Sequence, residues 1–256
     1  MAEYKCNSPE EAEFLKNYDV SKYERPSVTA DIVIFTIDED DELNILLIRR
    51  GGYPYKGFWA IPGGFLDVGK ESLDDAAVRE LKEETNVDYA FLNQLYTFSS
   101  PDRDPRTTVI SVAYTALVAK DSLNIKAGDD ASDAGLFKIT YDVNGLVFRN
   151  DNMVLTEDDL AFDHNKIIRT AILRLRNRID YEPDAFNLLK DPKSFTISEL
   201  KKIYETIKNK SLDLPNFRKS FLREYVATGK VTELEQTRNT KGRDAKLYRY
   251  NGGAYG

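Results

Sequence analysis

Short apolar stretches separated by polar turns dominate the first half of the chain. Residues 28–37 and 44–49 are rich in β-branched and aliphatic side chains, and the acidic segment 38–42 between them predicts a hairpin. Residues 51–64 combine glycine, proline and aromatic residues, as is typical of a loop. The same apolar pattern predicts further strands at 89–98, 107–119 and 135–139.

Two segments change to the spacing of an amphipathic helix. In residues 72–85, Ser72 is the predicted N-cap with Asp75 three positions later, and Asn86 is predicted to end the helix. Residues 163–179 predict a second helix with Asp163 as its N-cap. Since helices and strands do not alternate regularly, the sequence predicts an α+β fold rather than a doubly wound sheet.

The end of the chain has a different organisation. Residues 180–193 contain two prolines and predict a boundary between a domain at 1–180 and a second domain at 193–256. Beyond the boundary, the pattern predicts helices at 198–208 and 216–225, then strands at 230–234 and 246–250, joined by a polar, basic segment. Two helices followed by a basic hairpin are typical of a winged-helix domain.

Charge separates these two parts more sharply than the total suggests. The 256 residues carry a net charge of −7, but residues 1–192 sum to −14 and residues 193–256 to +7. A positive module on an acidic protein suggests contact with an anionic polymer. One cysteine and one histidine exclude an intrachain disulfide and a multi-histidine metal site. The apolar runs are too short to cross a bilayer and the first residues are polar, which predicts a cytoplasmic protein without a membrane partner.

The strongest chemical signal is a row of acidic residues on the first helix. Glu80, Glu83 and Glu84 are three and four positions apart and therefore share one face. Clustered carboxylates repel one another unless a cation joins them, and Mg²⁺ prefers oxygen ligands. The alternative is a solvated helix face on which Arg79 and Lys82 pair with the glutamates.

The segment from Gly63 to Val87 resembles the Nudix box, a glycine followed by a glutamate and an Arg-Glu-x-x-Glu-Glu core. Lys70 is an insertion between Gly64 and Glu71, and Asn86 replaces the final glycine. The resemblance implies an α/β/α sandwich with a core at about 25–160 plus the helix 163–179. It also implies Mg²⁺ or Mn²⁺ bound by Glu80, Glu83, Glu84 and the Gly63 carbonyl, and Arg79 paired with Glu71 and orienting the glutamates.

Two flanking motifs extend the resemblance, and the second of them, Ser100 to Arg106, resembles a signature shared by ADP-ribose pyrophosphatases and Nudix-related transcriptional regulators. Trp59 to Gly64 resembles the strand that enters the box, and Ser100 to Arg106 contains Arg103 and Arg106, which suit phosphate recognition. The alternative for these arginines is a turn stabilised by Asp–Arg pairs. Aromatic residues of the loop are candidates for stacking on adenine or, alternatively, for core or dimer contacts: Tyr53, Tyr55, Phe58 and Trp59.

Other polar residues of this part have weaker assignments. An acidic loop offers Asp129, Asp130 and Asp133 as a general base or further metal ligand, or simply as turn residues. His164, in a Leu-Ala-Phe-Asp-His stretch that also resembles the regulators, is interpreted as a capping or packing residue rather than a catalytic one.

Residues 193–256 resemble the winged-helix extension of the same regulators. The resemblance implies that double-stranded DNA is bound by the second helix and the hairpin, in a salt-sensitive manner. The basic residues assigned to this contact are Arg218, Lys219, Arg223, Arg238, Lys241, Arg243 and Lys246. The alternative is a dimerisation module whose basic residues only solvate it.

Because the Arg79, Glu80, Glu83 and Glu84 positions are intact, we expect a Mg²⁺-dependent hydrolase of ADP-ribose or a related nucleoside diphosphate sugar. The competing hypothesis is a transcriptional regulator that senses ADP-ribose or a sugar effector and binds DNA through the winged helix. A third hypothesis is that the protein is the hydrolase and that residues 193–256 only shape a homodimer. We expect a homodimer under all three hypotheses.

Overall fold

The computed structural model describes residues 4–87, 91–125, 131–240 and 243–252. A mixed sheet forms the centre of the first part of the chain. Its strands are β1 (Ser27–Ile37), β2 (Leu43–Arg50), β3 (Trp59–Ala60), β4 (Gly63–Phe65), β5 (Phe91–Phe98), β6 (Val109–Leu117), β7 (Ala131–Asp142), β8 (Gly145–Arg149) and β9 (Val154–Thr156). The helices of this part are α1 (Pro9–Lys16), α2 (Leu73–Thr85) and α3 (His164–Arg178).

Strand pairing brings the loop before α2 onto the central strand. The sheet order is β5-β6-β1-β2-β7-β8-β9, with β1 parallel to β6 and the other neighbours antiparallel. The two short strands lie off this path, β3 against β2 and β4 against β1. Thr29 to Asp31 pair with Phe65 to Gly63, so the glycines of the box lie directly beside β1.

Helices cover both faces of the sheet, which explains why β1 is buried without interruption from Thr29 to Thr36. Ile32 and Ile34 point to one side and pack in a core with Ala76, Ala77 and Leu81 of α2. Val33 and Phe35 alternate to the other side and pack in the core that contains Ile168 and Ala171 of α3. The predicted α+β sandwich is confirmed.

The ends of the helices test the capping predictions individually. The Ser72–Asp75 capping box forms, and Asn86 has the left-handed conformation (φ 53°) that ends α2, as predicted. Asp163 lies at the N-cap position of α3, but its side chain makes no capping hydrogen bond. The predicted N-cap residue is therefore correct, but the Asp163 carboxylate is bound by Arg103, 2.8 Å away, instead of capping the helix.

The C-terminal part has the predicted winged-helix pattern. It consists of α4 (Ile197–Lys208), α5 (Leu214–Phe221) with a π-helical turn at Leu222–Val226, and the hairpin strands β10 (Val231–Thr240) and β11 (Arg243–Tyr250). The strands are longer than predicted, because Thr237 to Thr240 pair with Lys246 to Arg243 and so extend into the polar segment.

The segment between the two parts is packed rather than extended. A 3₁₀ helix at Pro183–Leu188 buries Phe186, whose ring stacks on Tyr250 with centroids 4.2 Å apart. Arg176 of α3 donates to the carbonyl of Ile207 in α4 (3.1 Å), and Thr206 donates to the Asp41 carbonyl (2.6 Å). Both parts therefore share one continuous core, and the boundaries at 180 and 193 remain predictions. Within the described ranges, no helix has the length and apolar character needed to cross a membrane.

Candidate ligand site and nucleic-acid interface

The carboxylates of α2 are not equally exposed. Glu80 and Glu84 are buried, whereas the side chain of Glu83 is 55 % exposed. Gly64 of β4 approaches Glu80 so closely that an added Cβ atom would lie 1.9 Å from its Oε1 atom. A Cβ atom on Gly63 would lie 2.5 Å from Oδ1 of Asp31. The two glycines therefore allow the loop to pass directly over the carboxylates.

Arg79 organises this face of α2. Its Nε and Nη2 atoms lie 3.2 and 3.0 Å from the Glu71 carboxylate, so the implied pair forms despite the insertion of Lys70. Its Nη1 atom lies 2.5 Å from Glu80 and 3.6 Å from Glu83. Burial raises the pKa of Glu80, and the hydrogen bond and charge of Arg79 only partly oppose this. Glu80 is therefore a buried carboxylate whose charge is incompletely compensated.

The donors on this face suit a hard divalent cation, although the structure does not show them as a converged cluster. Among the described residues, no group of three or more acidic, histidine or cysteine side chains is close enough together to hold a metal. Glu80 and Glu83 are instead directed to Arg79. The assignment of the ion to Glu80, Glu83, Glu84 and the Gly63 carbonyl, which the family resemblance implies, stays a prediction. A bound ion would polarise a phosphoryl oxygen and activate water.

Arg103 does not lie where a phosphate could reach it. Its guanidinium is 4 % exposed and binds the Asp163 carboxylate through Nε and Nη2, at 3.3 and 2.8 Å. A second carboxylate, Asp31, lies 3.6 Å away and also accepts a hydrogen bond from Ser111. The structure therefore corrects the expectation that Arg103 binds substrate, because its guanidinium joins β1 to the start of α3.

Arg106, three residues later, lies at the surface. Its side chain is 44 % exposed and pairs with Asp104 through Nε and Nη2, at 3.0 and 2.8 Å. The guanidinium carbon lies 5.3 Å from the ring centroid of Phe65 and 6.0 Å from that of Phe162. Arg106 therefore forms the Asp–Arg pair that the alternative predicted, and its side chain is also partly exposed to solvent.

The aromatic residues of the loop divide into a buried and an exposed group. Trp59 is 5 % exposed and packs edge to face on Phe137, with centroids 4.8 Å apart, so its ring face is not open for stacking on a base. This corrects the assignment of Trp59 to substrate binding, because β3 directs the ring into the core. Tyr53, Tyr55 and Phe58 lie at the surface.

His164 holds the loop in place, consistent with its interpretation as a packing residue. The Ile61 backbone N–H donates to His164 Nδ1 at 3.1 Å. Burial lowers the pKa of His164, which favours the neutral ring that this acceptor role requires. Asp133 is exposed on β7, and Asp129 and Asp130 lie outside the described residues.

Sequence reasoning missed the ring of Phe162 and the guanidinium of Arg50, which lies 4.9 Å from that ring. Phe162 has a left-handed backbone (φ 53°), a property that no pattern of residue types indicates. The available signal was its place in the Leu-Ala-Phe-Asp-His stretch, which the sequence analysis used only for His164.

The basic residues of the winged helix have different surroundings. Arg218, Lys219 and Arg223 are exposed on α5 and the turn that follows it. Arg223 pairs with Glu224, and Lys246 pairs with Glu233 across the hairpin. Arg238 donates to Glu199 (2.8 Å) and to the Ser194 carbonyl (2.7 Å), and its assignment to the DNA contact stays a prediction. Arg243 contributes backbone to β11, and its side chain, like the whole of Lys241, lies outside the described part.

Comparison with known proteins agrees with this two-part architecture. The model of the NUDIX domain matches residues 26–151, and that of the NrtR DNA-binding winged helix domain matches residues 185–250. An ADPR responsive transcriptional repressor, NtrR, from Acinetobacter baylyi is 34 % identical over 96 % of this chain and 90 % of its own. An ADP-ribose pyrophosphatase from Methanocaldococcus jannaschii is 41 % identical over 60 % of this chain and 80 % of its own.

Solved structures extend the likeness to the whole chain. A MutT/nudix family protein from Enterococcus faecalis superimposes with a TM-score of 0.77 and 32 % identity, covering 94 % of this chain and 93 % of that one. Shewanella oneidensis NrtR complexed with a 27mer DNA superimposes with a TM-score of 0.69 and 29 % identity, covering 88 % of this chain and 93 % of that one. The NUDIX domain of the same NrtR complexed with ADP ribose superimposes with a TM-score of 0.51 and 33 % identity, covering 64 % of this chain and 98 % of that one.

Proposed function

Because the chain belongs to the family of Nudix proteins that carry an NrtR-type winged-helix domain, we propose that it is a transcriptional regulator responsive to ADP-ribose. The observation that carries this proposal is the 34 % identity to an ADPR responsive repressor along nearly the full length of both chains. A likeness confined to the first domain would support only the enzyme. The regulator hypothesis therefore takes precedence over the hydrolase that the sequence analysis placed first.

In this proposal, double-stranded DNA contacts α5 and the hairpin. Arg218, Lys219 and Arg223 present exposed cations on one helix, as a helix inserted beside the phosphate backbone requires. Support also comes from the likeness to Shewanella oneidensis NrtR, which was crystallised with DNA. A homodimer would present two such helices to a two-fold symmetric operator. Sedimentation of the full chain tests this, with a monomer mass as the contrary result.

A gel shift with the DNA upstream of the gene tests the regulator directly. We expect a salt-sensitive complex whose stability changes when ADP-ribose is added. The double variant Arg218→Ala, Lys219→Ala should lose the shift while keeping its affinity for ADP-ribose. Absence of a shift with any upstream fragment, with and without ADP-ribose, would reject the regulator.

Hydrolysis of ADP-ribose to AMP and ribose 5-phosphate is the second candidate function. The specific observation in its favour is that the Arg79, Glu80, Glu83 and Glu84 positions of the Nudix box are all intact. Arg79 also contacts Glu71 and Glu80, two glutamates of that box. Mg²⁺ or Mn²⁺ would be required. If purified protein with either ion releases no AMP, or if Glu83→Gln and Glu84→Gln leave the rate unchanged, the chain is not such a hydrolase.

A further inference from the structure

Two aromatic residues near the candidate site have a backbone conformation that bulky side chains rarely adopt. Tyr55 (φ 60°) and Phe162 (φ 53°) are both left-handed, although they belong to different loops. Their ring centroids are only 4.7 Å apart. Each residue has an unfavourable backbone conformation, and the two side chains touch, which indicates that the surrounding structure fixes the positions of the two rings. Residues held in unfavourable backbone conformations are concentrated at ligand-binding and active sites.

Two guanidinium groups lie near the ring of Phe162, and one of them also lies near Phe65, which contacts Arg79 of α2. Arg50 lies 4.9 Å from the Phe162 centroid, and Arg106 lies between Phe162 (6.0 Å) and Phe65 (5.3 Å). The Phe65 carbonyl in turn accepts a hydrogen bond from Arg79 at 3.3 Å. The five residues Arg50, Tyr55, Phe65, Arg106 and Phe162, here called the Phe162 cluster, thus extend from the box arginine to the exposed loop.

The backbone on both sides of Phe162 is fixed by contacts to other elements. Before it, the Ala161 N–H donates to the Trp59 carbonyl at 2.7 Å. After it, Asp163 binds Arg103, and His164 accepts from the Ile61 N–H. Phe162 itself remains half-buried. The buried ion pair and the histidine therefore hold an aromatic ring at the surface, which gives them a positioning role.

We propose that the Phe162 cluster binds the nucleoside diphosphate part of the ligand. The rings of Phe162 and Tyr55 receive the planar base. Arg106, whose Nε and Nη2 atoms are paired with Asp104, offers its remaining guanidinium N–H groups and its charge to the diphosphate. Stacking on aromatic rings and charge-assisted guanidinium–phosphate hydrogen bonds are the interactions that this combination of side chains provides. This inference rests on the proposed function and adds the residues that recognise the adenosine part.

Calorimetric titration of the full-length protein with ADP-ribose, AMP and ribose 5-phosphate tests the assignment. The informative variant is Phe162→Gly, because glycine accepts the left-handed backbone and removes only the ring. We expect affinity for ADP-ribose and AMP to fall about tenfold or more, with ribose 5-phosphate unaffected. The melting temperature should stay close to that of the wild type, because relief of the left-handed backbone offsets the lost packing of the half-buried ring. Asn209→Gly, at another left-handed position in the C-cap of α4, is the matched control and should bind all three ligands normally.

Arg106→Lys provides a second, independent variant. It keeps the positive charge but loses the paired contact with Asp104 and the further guanidinium N–H groups, so AMP and ribose 5-phosphate should both bind more weakly. If the wild type binds ADP-ribose and Phe162→Gly binds it equally well, the Phe162 cluster is not the adenosine site, and the proposed function survives. If the wild type binds no ADP-ribose, both the proposed function and this inference are wrong.

Discussion

Two charged regions of this chain illustrate opposite ways of using charge. On α2 and the loops around it, Glu80, Glu84 and Arg103 are buried, and the charged groups contact defined partners, as Arg79 does with Glu71 and Glu80. On α5 and the hairpin, cations such as Arg218 and Lys219 are exposed. Buried charges interact strongly but tolerate little change, whereas exposed charges are screened and act together. The first region therefore suits recognition of one small molecule, and the second suits contact with a polymer.

Arg103 and Arg106 belong to one motif, but the Arg103 side chain is buried and the Arg106 side chain is partly exposed. Substituting each of them should therefore show the largest difference between a buried and an exposed charge. Arg103→Ala leaves Asp163 and Asp31 buried without their cation, so we expect a loss of about 3–5 kcal/mol in the free energy of unfolding. Arg106→Ala breaks a pair whose guanidinium is 44 % exposed, and should cost less than about 1 kcal/mol. Urea denaturation measures both, and equal losses would contradict the distinction between the two arginines.

Gly64→Ala tests how tightly the loop must approach the carboxylates. The added Cβ atom would meet Oε1 of Glu80 at 1.9 Å, so the carboxylate or β4 must move, at a cost of about 1–3 kcal/mol. We also expect Mn²⁺ to raise the melting temperature of the variant less than that of the wild type. Gly52→Ala is the control, because nothing lies within 4 Å of a Cβ atom there and both properties should be unchanged.

The elements of this fold were predictable wherever a local pattern decides the structure. Ser72 with Asp75, and Asn86, mark the ends of α2 because capping depends on neighbouring residues. Gly145–Arg149 and Val154–Thr156 were not predicted as strands, since such short segments acquire their structure by pairing with β7 and with each other.

The site was less predictable, because the partners of its side chains are distant in sequence. Arg103 pairs with Asp163, 60 residues away, so its motif alone could not show that the guanidinium is buried. Trp59 suits stacking on a base by residue type, but strand pairing turns its ring into the core. Spacing along one helix placed Glu80, Glu83 and Glu84 on one face, but it left open whether Arg79 pairs with them. The structure shows that Arg79 contacts Glu80 and Glu83.

The exposed region should respond to substitution in proportion to the number of charges removed. For the DNA complex, Arg218→Ala and Lys219→Ala should each lower the slope of log affinity against log salt by about 1. Together they should weaken binding by about tenfold or more at moderate salt. Arg238→Ala is the contrasting variant, because its guanidinium is bound to Glu199 and Ser194, and the slope should not change. A slope change for Arg238→Ala equal to that for Lys219→Ala would remove the distinction between these cations.

The smallest expected effect on stability concerns His164, the first residue of α3, whose buried ring accepts a hydrogen bond from the Ile61 N–H. Burial lowers its pKa, while Asp31 and Asp163 oppose the shift and Arg103 and Arg50 add to it. Since the unfolded chain binds a proton below about pH 6.5 and the folded ring resists it, the free energy of unfolding should fall as the pH drops below that value. His164→Gln keeps an acceptor for the Ile61 N–H but does not titrate, so its stability should depend less on pH. The difference from wild type should be less than about 1 kcal/mol at pH 6 and grow toward pH 5, as urea denaturation at each pH would measure. Parallel pH profiles for the two proteins would mean that the ring is protonated as readily in the folded chain as in the unfolded one.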